Sequence, residues 1–410
     1  MKYGLIGERL GHSFSKSIHE KLGYDYELRE IARDGLESFM REGAFEGINV
    51  TIPYKEAVIP YLDVIDEAAR EIGAVNTVVN RGGKLYGYNT DFYGMRMLFD
   101  HAEIDPKGKK AVILGSGGTS KTARAVLSSL GASEIMRVSR SGKDGAISYE
   151  ELYRDHRDAE IIVNTTPLGM YPEIFGCPVD ISKFEGLVGV VDAVYNPINT
   201  TLVQSARERG INAEGGLYML VAQAIGASEL FTGVKCPAYM IDVIFDAVKG
   251  ERENIVLIGM PSSGKSTVGR LLAEKLCYDF ADTDELIVER IKMPIKDFFA
   301  KYGEEKFREV ESEVIRALAE NGGTVIATGG GAILRKENIS ALKYNGKIIF
   351  LDRPLEKLIT TDSRPLSSDR EALERLYNQR YPIYKSVCDA IVPSVLEPDY
   401  VANDILENYL

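Results

Sequence analysis

Two glycine-rich loops, each placed between an apolar run and a helical pattern, constrain this chain more than any other feature. The first has the sequence GSGG at residues 115–118 and follows the apolar run 110–114. The second has the sequence GMPSSGKS at residues 259–266 and follows the run 255–258. Glycines let backbone N–H groups approach phosphate oxygens, and the N-terminus of the following helix adds its dipole. The first loop indicates a dinucleotide site and the second a nucleoside triphosphate site.

Strand-like runs alternate with helical patterns along nearly the whole chain, which predicts an α/β protein with mainly parallel sheets. A length of 410 residues favours two or three domains. The polar segment 249–253 separates a helical pattern at residues 239–248 from a new strand, so we predict a linker there.

Composition restricts the classes of partner. The net charge is −12, and a chain this acidic is a poor candidate for non-specific nucleic-acid binding. The four cysteines are far apart, without the spacing of metal ligands, as in a reduced cytosolic protein. No apolar run is long enough for a signal peptide or a membrane span. We expect a cytoplasmic protein that acts on small molecules, with no nucleic-acid, membrane or protein partner.

The second loop fits the P-loop pattern in full, with a strand before it and a helix after it. Its lysine is expected to reach the β- and γ-phosphates, and Ser266 to ligate Mg²⁺. The predicted ATP-binding residues of the loop are Gly259, Ser262, Ser263, Gly264, Lys265, Ser266 and Thr267. Asp282 and Asp284 alternate at the next strand end and so share a face. One of them would hold Mg²⁺ through water, a role we give to Asp282, and the other would bind an acceptor hydroxyl.

Five further motifs follow the P-loop: DTD (282–284), GEEKFREVE (303–311), GGG (329–331), RPL (364–366) and RYPIY (380–384). In this order they resemble shikimate kinase from residue 254 to about residue 389. The segment between Asp352 and Arg364 is shorter than expected for that family, and no second lid arginine is evident in it.

The kinase resemblance implies a set of roles. Asp284 would orient the acceptor hydroxyl of shikimate and take its proton, and Lys265 would act with it in catalysis. Arg364 would close over ATP and stabilise charge on the transferred phosphoryl group. The residues implied to hold shikimate are Asp284, Arg308, Gly329, Gly330, Gly331 and Arg380. The two arginines suit a carboxylate, which accepts bidentate hydrogen bonds.

In the first half, the residues after the predicted strand 135–138 indicate which dinucleotide is bound. NAD enzymes usually place an acidic residue there for the ribose 2′-hydroxyl. Here the sequence is Ser139-Arg140-Ser141, and a cation flanked by hydroxyls suits the 2′-phosphate of NADP. Lys143 is a weaker candidate for a second cation.

Seven motifs in the first half stand in one order: GHSFSKSIH (11–19), NVTIPYK (49–55), GAVNT (73–77), GYNTD (87–91), NTTPLGM (164–170), DAVYNPINTTL (192–202) and MLVAQA (219–224). They resemble shikimate dehydrogenase over residues 1 to about 248. Hydride transfer to a ketone requires a proton donor. The resemblance implies that Lys55 supplies the proton and that Asp91 orients it. His12 and His19 are interpreted as structural.

The dehydrogenase resemblance implies two groups of binding residues. The shikimate site would be lined by Ser13, Ser15, Asn49, Thr51, Asn76, Asp91, Tyr195 and Gln223. The NADP site would be formed by Gly115, Gly117, Gly118, Ser139, Arg140, Ser141, Asn164, Thr165 and Gly216.

The two resemblances together imply a fused enzyme. The expected fold is a two-lobed dehydrogenase with a Rossmann-like NADP lobe, followed by a P-loop domain like the nucleoside monophosphate kinases. The predicted boundaries are 1–100 plus 226–248 for the substrate lobe, 101–225 for the NADP lobe, 249–253 for the linker and 254–410 for the kinase. Two alternatives stay open: a quinate/shikimate dehydrogenase that uses NAD and carries an inactive or regulatory kinase-like domain, and a shikimate-sensing regulator.

Overall fold

A computed structural model describes residues 1–11, 13–142, 145–359 and 370–410 of the chain. The contacts divide the chain into two compact units, Met1–Val248 and Lys249–Leu410.

Unit 1 contains two sheets. The first sheet is formed by β1 (Tyr3–Gly7), β2 (Glu27–Glu30), β3 (Gly47–Val50), β4 (Val64–Ile65), β5 (Thr77–Arg81) and β6 (Lys84–Tyr88), in the order β2-β1-β3-β5-β6-β4. Strand β1 is parallel to β2 and β3, whereas β5 is antiparallel to β3 and β6. The second sheet is formed by β7 (Lys110–Leu114), β8 (Glu134–Val138), β9 (Ile161–Asn164), β10 (Gly189–Asp192) and β11 (Asn212–Glu214), in the order β11-β10-β9-β7-β8.

The second sheet is parallel throughout and has the doubly wound order expected of a Rossmann-like lobe. Strands β7 and β9 meet where the strand order reverses, so the loops after them open a crevice at the carboxyl edge. The GSGG loop follows β7 directly. The fold therefore places the predicted dinucleotide loop where ligands bind in such sheets.

The helices of unit 1 cover both sheets. They are α1 (Ser15–Lys21), α2 (Leu36–Glu42), α3 (Glu67–Ile72), α4 (Thr90–His101), α5 (Gly118–Ser129), α6 (Tyr149–Asp155), α7 (Thr201–Glu208), α8 (Leu217–Thr232) and α9 (Met240–Arg252). Apolar side chains of α4, α5, α8 and α9 pack with β7 and β9 in one continuous core. Helix α8 is apolar on most of its surface and almost wholly buried, as a helix between two layers must be.

Two predicted boundaries fall inside helices. The boundary at residue 226 lies within α8, which begins at Leu217. The segment 249–252 forms the end of α9, so only Glu253 separates that helix from the next strand. The buried apolar pattern of α8 continues through residue 226, whereas α9 extends by one polar, mostly exposed turn beyond Val248.

Unit 2 is a three-layer arrangement around one parallel sheet. Its strands are β12 (Asn254–Ile258), β13 (Asp279–Asp282), β14 (Thr324–Ala327), β15 (Gly346–Asp352) and β16 (Ala390–Pro393), in the order β13-β14-β12-β15-β16. Its helices are α10 (Lys265–Leu276), α11 (Thr283–Ile291), α12 (Ile295–Ala319), α13 (Lys336–Asn345), α14 (Arg370–Val387) and α15 (Pro398–Asn408). Strand β12 is central, and the P-loop connects it to α10.

Helices α4 and α8 approach so closely that a side chain at Gly94 would collide with α8. A Cβ atom at Gly94 would lie 2.5 Å from the Met219 carbonyl oxygen and 2.9 Å from Gln223 Cβ. Both atoms are fixed by a buried helix, so neither can move aside cheaply.

We predict that Gly94→Ala lowers the free energy of unfolding by about 1–3 kcal/mol, the usual cost of overpacking a core. Gly250→Ala is the matched control, because Gly250 is also helical but a Cβ there meets nothing within 4 Å. That variant should gain about 0.5–1 kcal/mol from the reduced backbone entropy of alanine. Chemical denaturation of both variants measures the difference, and equal stability would contradict the close approach.

Candidate active sites

Lys55 and Asp91 form a partly buried ion pair in unit 1. The Lys55 Nζ atom lies 2.6 Å from Asp91 Oδ2, and the two side chains are 17% and 9% exposed. Lys55 stands in the loop after β3, where its carbonyl accepts a hydrogen bond from the Val75 N–H at 2.8 Å. Asp91 lies in the first turn of α4, which is capped by Asn89. The structure thus brings together the two residues predicted to act as the catalytic pair.

A buried hydrogen-bond network lies beside this pair and joins three predicted substrate residues, Asn49, Asn76 and Gln223. Thr90 is at its centre. The Thr90 backbone N–H donates to Asn76 Oδ1 at 2.7 Å, and the Thr90 hydroxyl lies 3.3 Å from Gln223 Oε1. The Thr77 hydroxyl lies 3.0 Å from that of Thr90 and accepts from Asn49 Nδ2 at 3.0 Å. Neither threonine was predicted from the sequence. Thr77 is the last residue of the GAVNT motif and the first of β5, and Thr90 belongs to the GYNTD motif and begins α4.

Asn49 is held at both ends of its amide. The Tyr26 hydroxyl donates to Asn49 Oδ1 at 2.7 Å, and Asn49 Nδ2 donates to the Asn76 carbonyl at 3.3 Å as well as to Thr77. The Tyr26 ring stacks on the buried His19 ring at a centroid distance of 4.0 Å. Burial lowers the pKa of His19 to about 3, so this imidazole is neutral. The His19 ring thus packs against Tyr26, the residue that donates to Asn49.

The remaining predicted substrate residues are Ser13, Ser15, Thr51 and Tyr195, and each has its own contacts or burial. Ser15 is buried at the start of α1, and its N–H donates to Ser13 Oγ at 3.3 Å. Phe14, between these serines, meets the Tyr195 ring edge-on at a centroid distance of 5.1 Å. Tyr195 follows β10 in the second sheet, so side chains from both sheets meet here. Thr51 directly follows β3 and is half-buried.

The dinucleotide loop requires its glycines. Gly115 has φ 115°, a conformation that favours glycine, and a Cβ there would lie 2.7 Å from Thr165 Oγ1. Gly117 is the N-cap of α5, and Gly118 is its first residue. The buried Ser120 occupies the third glycine position of the usual fingerprint. The loop is therefore shaped for close approach of a phosphate to its backbone.

The predicted NADP clamp lies at the end of β8. Ser139 is buried and its hydroxyl accepts from the Gly142 N–H at 3.1 Å, whereas Arg140 is exposed. Ser141 Oγ lies 3.4 Å from Ser139 Oγ. Lys143 is outside the described residues. Arg140 is thus solvent-exposed, and the hydroxyl groups of its two neighbours in sequence lie near each other.

The side chain of Asn164, a predicted NADP-site residue, forms hydrogen bonds within the protein. It is fully buried, donates to Asp192 Oδ1 at 2.9 Å and accepts from the Thr166 N–H and hydroxyl. Asp192 also accepts from the Val194 N–H at 3.0 Å and from the Thr200 hydroxyl at 2.7 Å. The Asn164 amide thus shapes the loops after β9 and β10. Desolvation raises the pKa of Asp192 to about 6.

Thr165 and Gly216, two further residues of the predicted NADP site, lie next to these loops. The Thr165 N–H and hydroxyl both donate to the Leu114 carbonyl, at 2.9 and 2.7 Å. Gly216 is the N-cap of α8, and a Cβ there would lie 2.3 Å from the Ala193 carbonyl oxygen. The backbone can turn into α8 at this point only because Gly216 has no side chain.

In unit 2 the P-loop holds its own lysine. Lys265 Nζ donates to the carbonyls of Gly259 and Met260 at 3.0 and 2.9 Å. Gly259 has φ 147° and Gly264 has φ 95°, so both need glycine. Ser262 Oγ donates to the Ile359 carbonyl at 2.7 Å. Ser263 is buried, with its carbonyl bonded to the Ser394 hydroxyl, and Thr267 is exposed on α10.

Two oxygen donors at the P-loop suit a hard divalent cation. The Ser266 hydroxyl donates to Asp282 Oδ2 at 2.5 Å, and the other Asp282 oxygen caps α11 through the Asp284 N–H at 2.9 Å. Hydroxyl, carboxylate and water oxygens are the ligands that Mg²⁺ prefers, together with nucleotide phosphates. Among the described residues, no group of three or more His, Cys, Asp or Glu side chains is placed to hold a metal ion.

The predicted shikimate residues of unit 2 line one cavity of about 660 Å³. These residues are Asp284, Arg308, Gly329, Gly330, Gly331 and Arg380. A Cβ at Gly329 would lie 2.8 Å from Asp284 Oδ1, and one at Gly331 would lie 2.4 Å from Arg308 Nη2. Bare backbone at these positions thus lets the charged groups reach the cavity.

Arg308 is fixed by two carboxylates. Its Nη1 donates to Glu311 at 2.8 Å and its Nη2 to Glu304 at 3.0 Å, and its side chain is 8% exposed. Sequence reasoning did not assign roles to Glu304 and Glu311, although both stand in the GEEKFREVE motif. Burial raises the pKa of Glu311, against the effect of the Arg308 charge.

Arg380 brings a second guanidinium to the cavity from α14. A Cβ at Gly330 would lie 3.4 Å from Arg380 Nη1, and the Tyr384 hydroxyl donates to the Gly330 carbonyl at 2.5 Å. Burial lowers the pKa of Arg380. The predicted lid residue Arg364 lies outside the described residues.

Comparisons with known proteins agree with the two sites. The shikimate dehydrogenase substrate binding domain model matches residues 5–78, and the shikimate kinase model matches residues 261–409. Shikimate dehydrogenase (NADP(+)) of Halothermothrix orenii is 43% identical over 278 residues, which cover 60% of this chain and 95% of that protein. The enzyme of the same name from Clostridium perfringens is 38% identical over 267 residues, covering 60% of this chain and 98% of its own length.

The chain belongs to the shikimate dehydrogenase family. Its remaining part carries the shikimate kinase match, so the chain is a fusion of the two, as the motifs predicted. Solved structures are similar over the same 60% of the chain. A chorismate mutase/shikimate 5-dehydrogenase fusion protein from Clostridium acetobutylicum has 37% identity, a TM-score of 0.57 and 96% of its length covered. The Thermus thermophilus shikimate 5-dehydrogenase in complex with NADP(H) and shikimate has 28% identity, a TM-score of 0.54 and 99% covered.

The dehydrogenase match also confirms the predicted fold class of unit 1, and the kinase match that of unit 2. No helix in the described ranges combines the length and the apolarity needed to cross a bilayer.

The raised pKa of Asp192 makes a testable contribution to stability. Because the folded protein binds this proton more tightly than the unfolded chain, the contribution is largest below the ordinary carboxyl pKa and is lost as pH rises through about 6. Relative to Asp192→Asn, the free energy of unfolding should fall by about 1.4 kcal/mol per pH unit between about pH 4 and pH 6. Denaturation of both proteins across this range measures it. If the stability of the parent relative to Asp192→Asn rises with pH instead, the three hydrogen-bond donors to Asp192 lower its pKa more than desolvation raises it.

Proposed function

We propose that this chain catalyses two consecutive reactions: NADPH-dependent reduction of 3-dehydroshikimate to shikimate in unit 1, and MgATP-dependent phosphorylation of shikimate to shikimate 3-phosphate in unit 2. The observation that carries this proposal is the presence of both complete sites in one chain. The Lys55–Asp91 pair lies beside a dinucleotide loop, and the P-loop lies beside the arginine-lined cavity. Product of the first reaction is substrate of the second.

In unit 1 the cofactor supplies hydride to the ketone carbon. The chain's own residues then have to provide a proton and hold the ring. Lys55 Nζ, 2.6 Å from Asp91, would give its proton to the developing alkoxide, and the Asp91 carboxylate would orient the lysine. The Asn76–Thr90–Gln223 network gives one polar wall of the cleft, and Ser13, Ser15 and Thr51 give the other. Tyr195 closes it from the second sheet.

The preference for NADPH rests on the end of β8. Arg140 is a surface cation with the hydroxyls of Ser139 and Ser141 next to it, a set that favours a phosphate over a free ribose hydroxyl. The open alternative of an NAD-dependent quinate/shikimate enzyme with an inactive kinase-like part is not favoured, because relatives of unit 1 are named as NADP(+) enzymes and unit 2 matches the kinase family.

In unit 2 the arginines supply the recognition of shikimate. Arg308 and Arg380 present guanidinium groups to one cavity and would bind the carboxylate, which leaves the ring hydroxyls facing Asp284. Asp284 would accept the proton of the attacking hydroxyl. Lys265 would pass from its loop carbonyls to the phosphates, and Ser266 and Asp282 would hold Mg²⁺, whose chemistry is to neutralise the phosphate charge. Arg364 is proposed to steady the transferred group.

The two catalytic lysines give a test of the whole proposal. Lys55→Ala should reduce dehydrogenase activity by at least about a hundredfold, the usual contribution of a positioned general acid, and leave phosphorylation intact. Lys265→Ala should do the reverse. Activity is followed by NADPH absorbance with 3-dehydroshikimate, and by ADP release with shikimate and MgATP. Loss of both activities in either folded variant would contradict two separate sites.

A glycine substitution tests the carboxylate site of unit 2. A Cβ at Gly331 would lie 2.4 Å from Arg308 Nη2, so Gly331→Ala should push the guanidinium from its place. We expect KM for shikimate to rise by about tenfold to a hundredfold, since a charged hydrogen bond contributes about 1.5–3 kcal/mol. KM for ATP and the dehydrogenase activity should not change. Gly250→Ala, where added Cβ meets nothing, is the control, and an unchanged KM for shikimate would remove Arg308 from the site.

A further inference from the structure

An ion pair joins the two halves of the dehydrogenase unit next to its catalytic lysine. Glu56 follows Lys55 in the loop after β3, and Lys121 lies in the first turn of α5. The Lys121 Nζ atom is 2.7 Å from Glu56 Oε1. Glu56 lies in a loop that follows the sheet of the predicted substrate residues. Lys121 lies in the helix that begins at the dinucleotide loop.

The same two segments also approach each other at the catalytic lysine itself. A Cβ at Gly118, the first residue of α5, would lie 4.0 Å from Lys55 Cδ. The aliphatic part of the Lys55 side chain therefore lies close to Gly118, which ends the GSGG loop and begins α5. Any shift of α5 along or away from the loop at residues 51–59 changes the distance between Lys55 and the hydride donor.

Beyond the ion pair, a groove separates these halves. It has a volume of about 710 Å³ and lies between α3 and α5, with Glu71, Lys121 and Arg124 among its lining side chains. Helix α5 is packed on α4, which carries Asp91, from one side. Lys121 lines the groove, and its ion pair with Glu56 connects α5 to the loop after β3. Helix α5 is thus packed against α4 and is also tied by this ion pair to the segment that carries Lys55.

We infer that Glu56 and Lys121 are positioning residues for the reduction, holding Lys55 and the cofactor loop in the register needed for combined hydride and proton transfer. The inference rests on the proposed dehydrogenase function. It requires that each residue act on the reaction only through its partner. Removal of either charge should therefore lower the dehydrogenase rate equally, and removal of both should lower it no further. A mispositioned general acid lowers the rate of the chemical step more than it affects substrate binding.

The size of the effect follows from the exposure of the pair. The side chains are 37% and 57% exposed, and such ion pairs contribute little in water. We therefore expect Glu56→Gln and Lys121→Met each to lower kcat about twofold to fivefold, while KM for 3-dehydroshikimate stays within about twofold. Lys121→Arg keeps the charge and should retain the parent kcat.

The test is a double-mutant cycle with the intact chain. Dehydrogenase kcat and KM are measured for the parent, the two single variants and Glu56→Gln/Lys121→Met, with thermal denaturation of each preparation as the measure of folded unit 1. Glu71→Gln and Arg124→Met, in the groove but outside the pair, are matched controls and should resemble the parent. The double variant should equal the singles. At 0.5 M salt, where the Debye length is short, the parent should approach Glu56→Gln.

Two results would overturn the inference. If Lys121→Met is impaired while Glu56→Gln equals the parent, Lys121 acts on the cofactor directly and not through Glu56. If the losses of the single variants multiply in the double variant, each residue acts alone. A parent without dehydrogenase activity would instead contradict the proposed function, so the two failures are distinguishable.

Discussion

The close contact of α4 with α8 is the constraint on which the dehydrogenase site depends. Gly94 leaves no room for a side chain between the helices, and this brings α8 against the first turn of α4. As a result Gln223 reaches the Thr90 hydroxyl, and Gly216 lies at the N-terminus of the same helix, beside the loop after β10. One buried helix thus carries a predicted substrate residue and a predicted cofactor residue, and their separation is fixed by helix geometry.

The kinase site uses the same device in a different form. Three successive glycines after β14 leave backbone where side chains would stand, and charged groups fill the space: Asp284 over Gly329, Arg380 over Gly330 and Arg308 over Gly331. Two carboxylates hold Arg308 before any substrate arrives. The cavity is therefore preorganised for an anion, which reduces the reorganisation required on binding.

Sequence patterns predicted the fold class and the strands that carry the loops, because apolar periodicity and glycine turns are local properties. Strand β7 has the bounds of the apolar run at 110–114. The lobe boundary placed at 226 falls inside α8, and α9 continues through 249–252, a polar turn that was predicted to be a linker. Thr77, Thr90 and Asp192 were missed as partners because several of their hydrogen bonds come from distant segments, which no local spacing encodes. Glu311 stands three residues after Arg308 on α12, so the helical spacing of the motif could have indicated that pair. The roles assigned to individual site residues stay predictions.

The P-loop lysine has a consequence for which nucleotides can compete with ATP. Lys265 already donates hydrogen bonds to two carbonyls of its own loop. A ligand that binds this lysine must therefore replace those two hydrogen bonds. Only a ligand whose phosphates offer stronger, charged acceptors compensates for that exchange. A nucleoside without phosphates offers no charged acceptor that could replace these two hydrogen bonds.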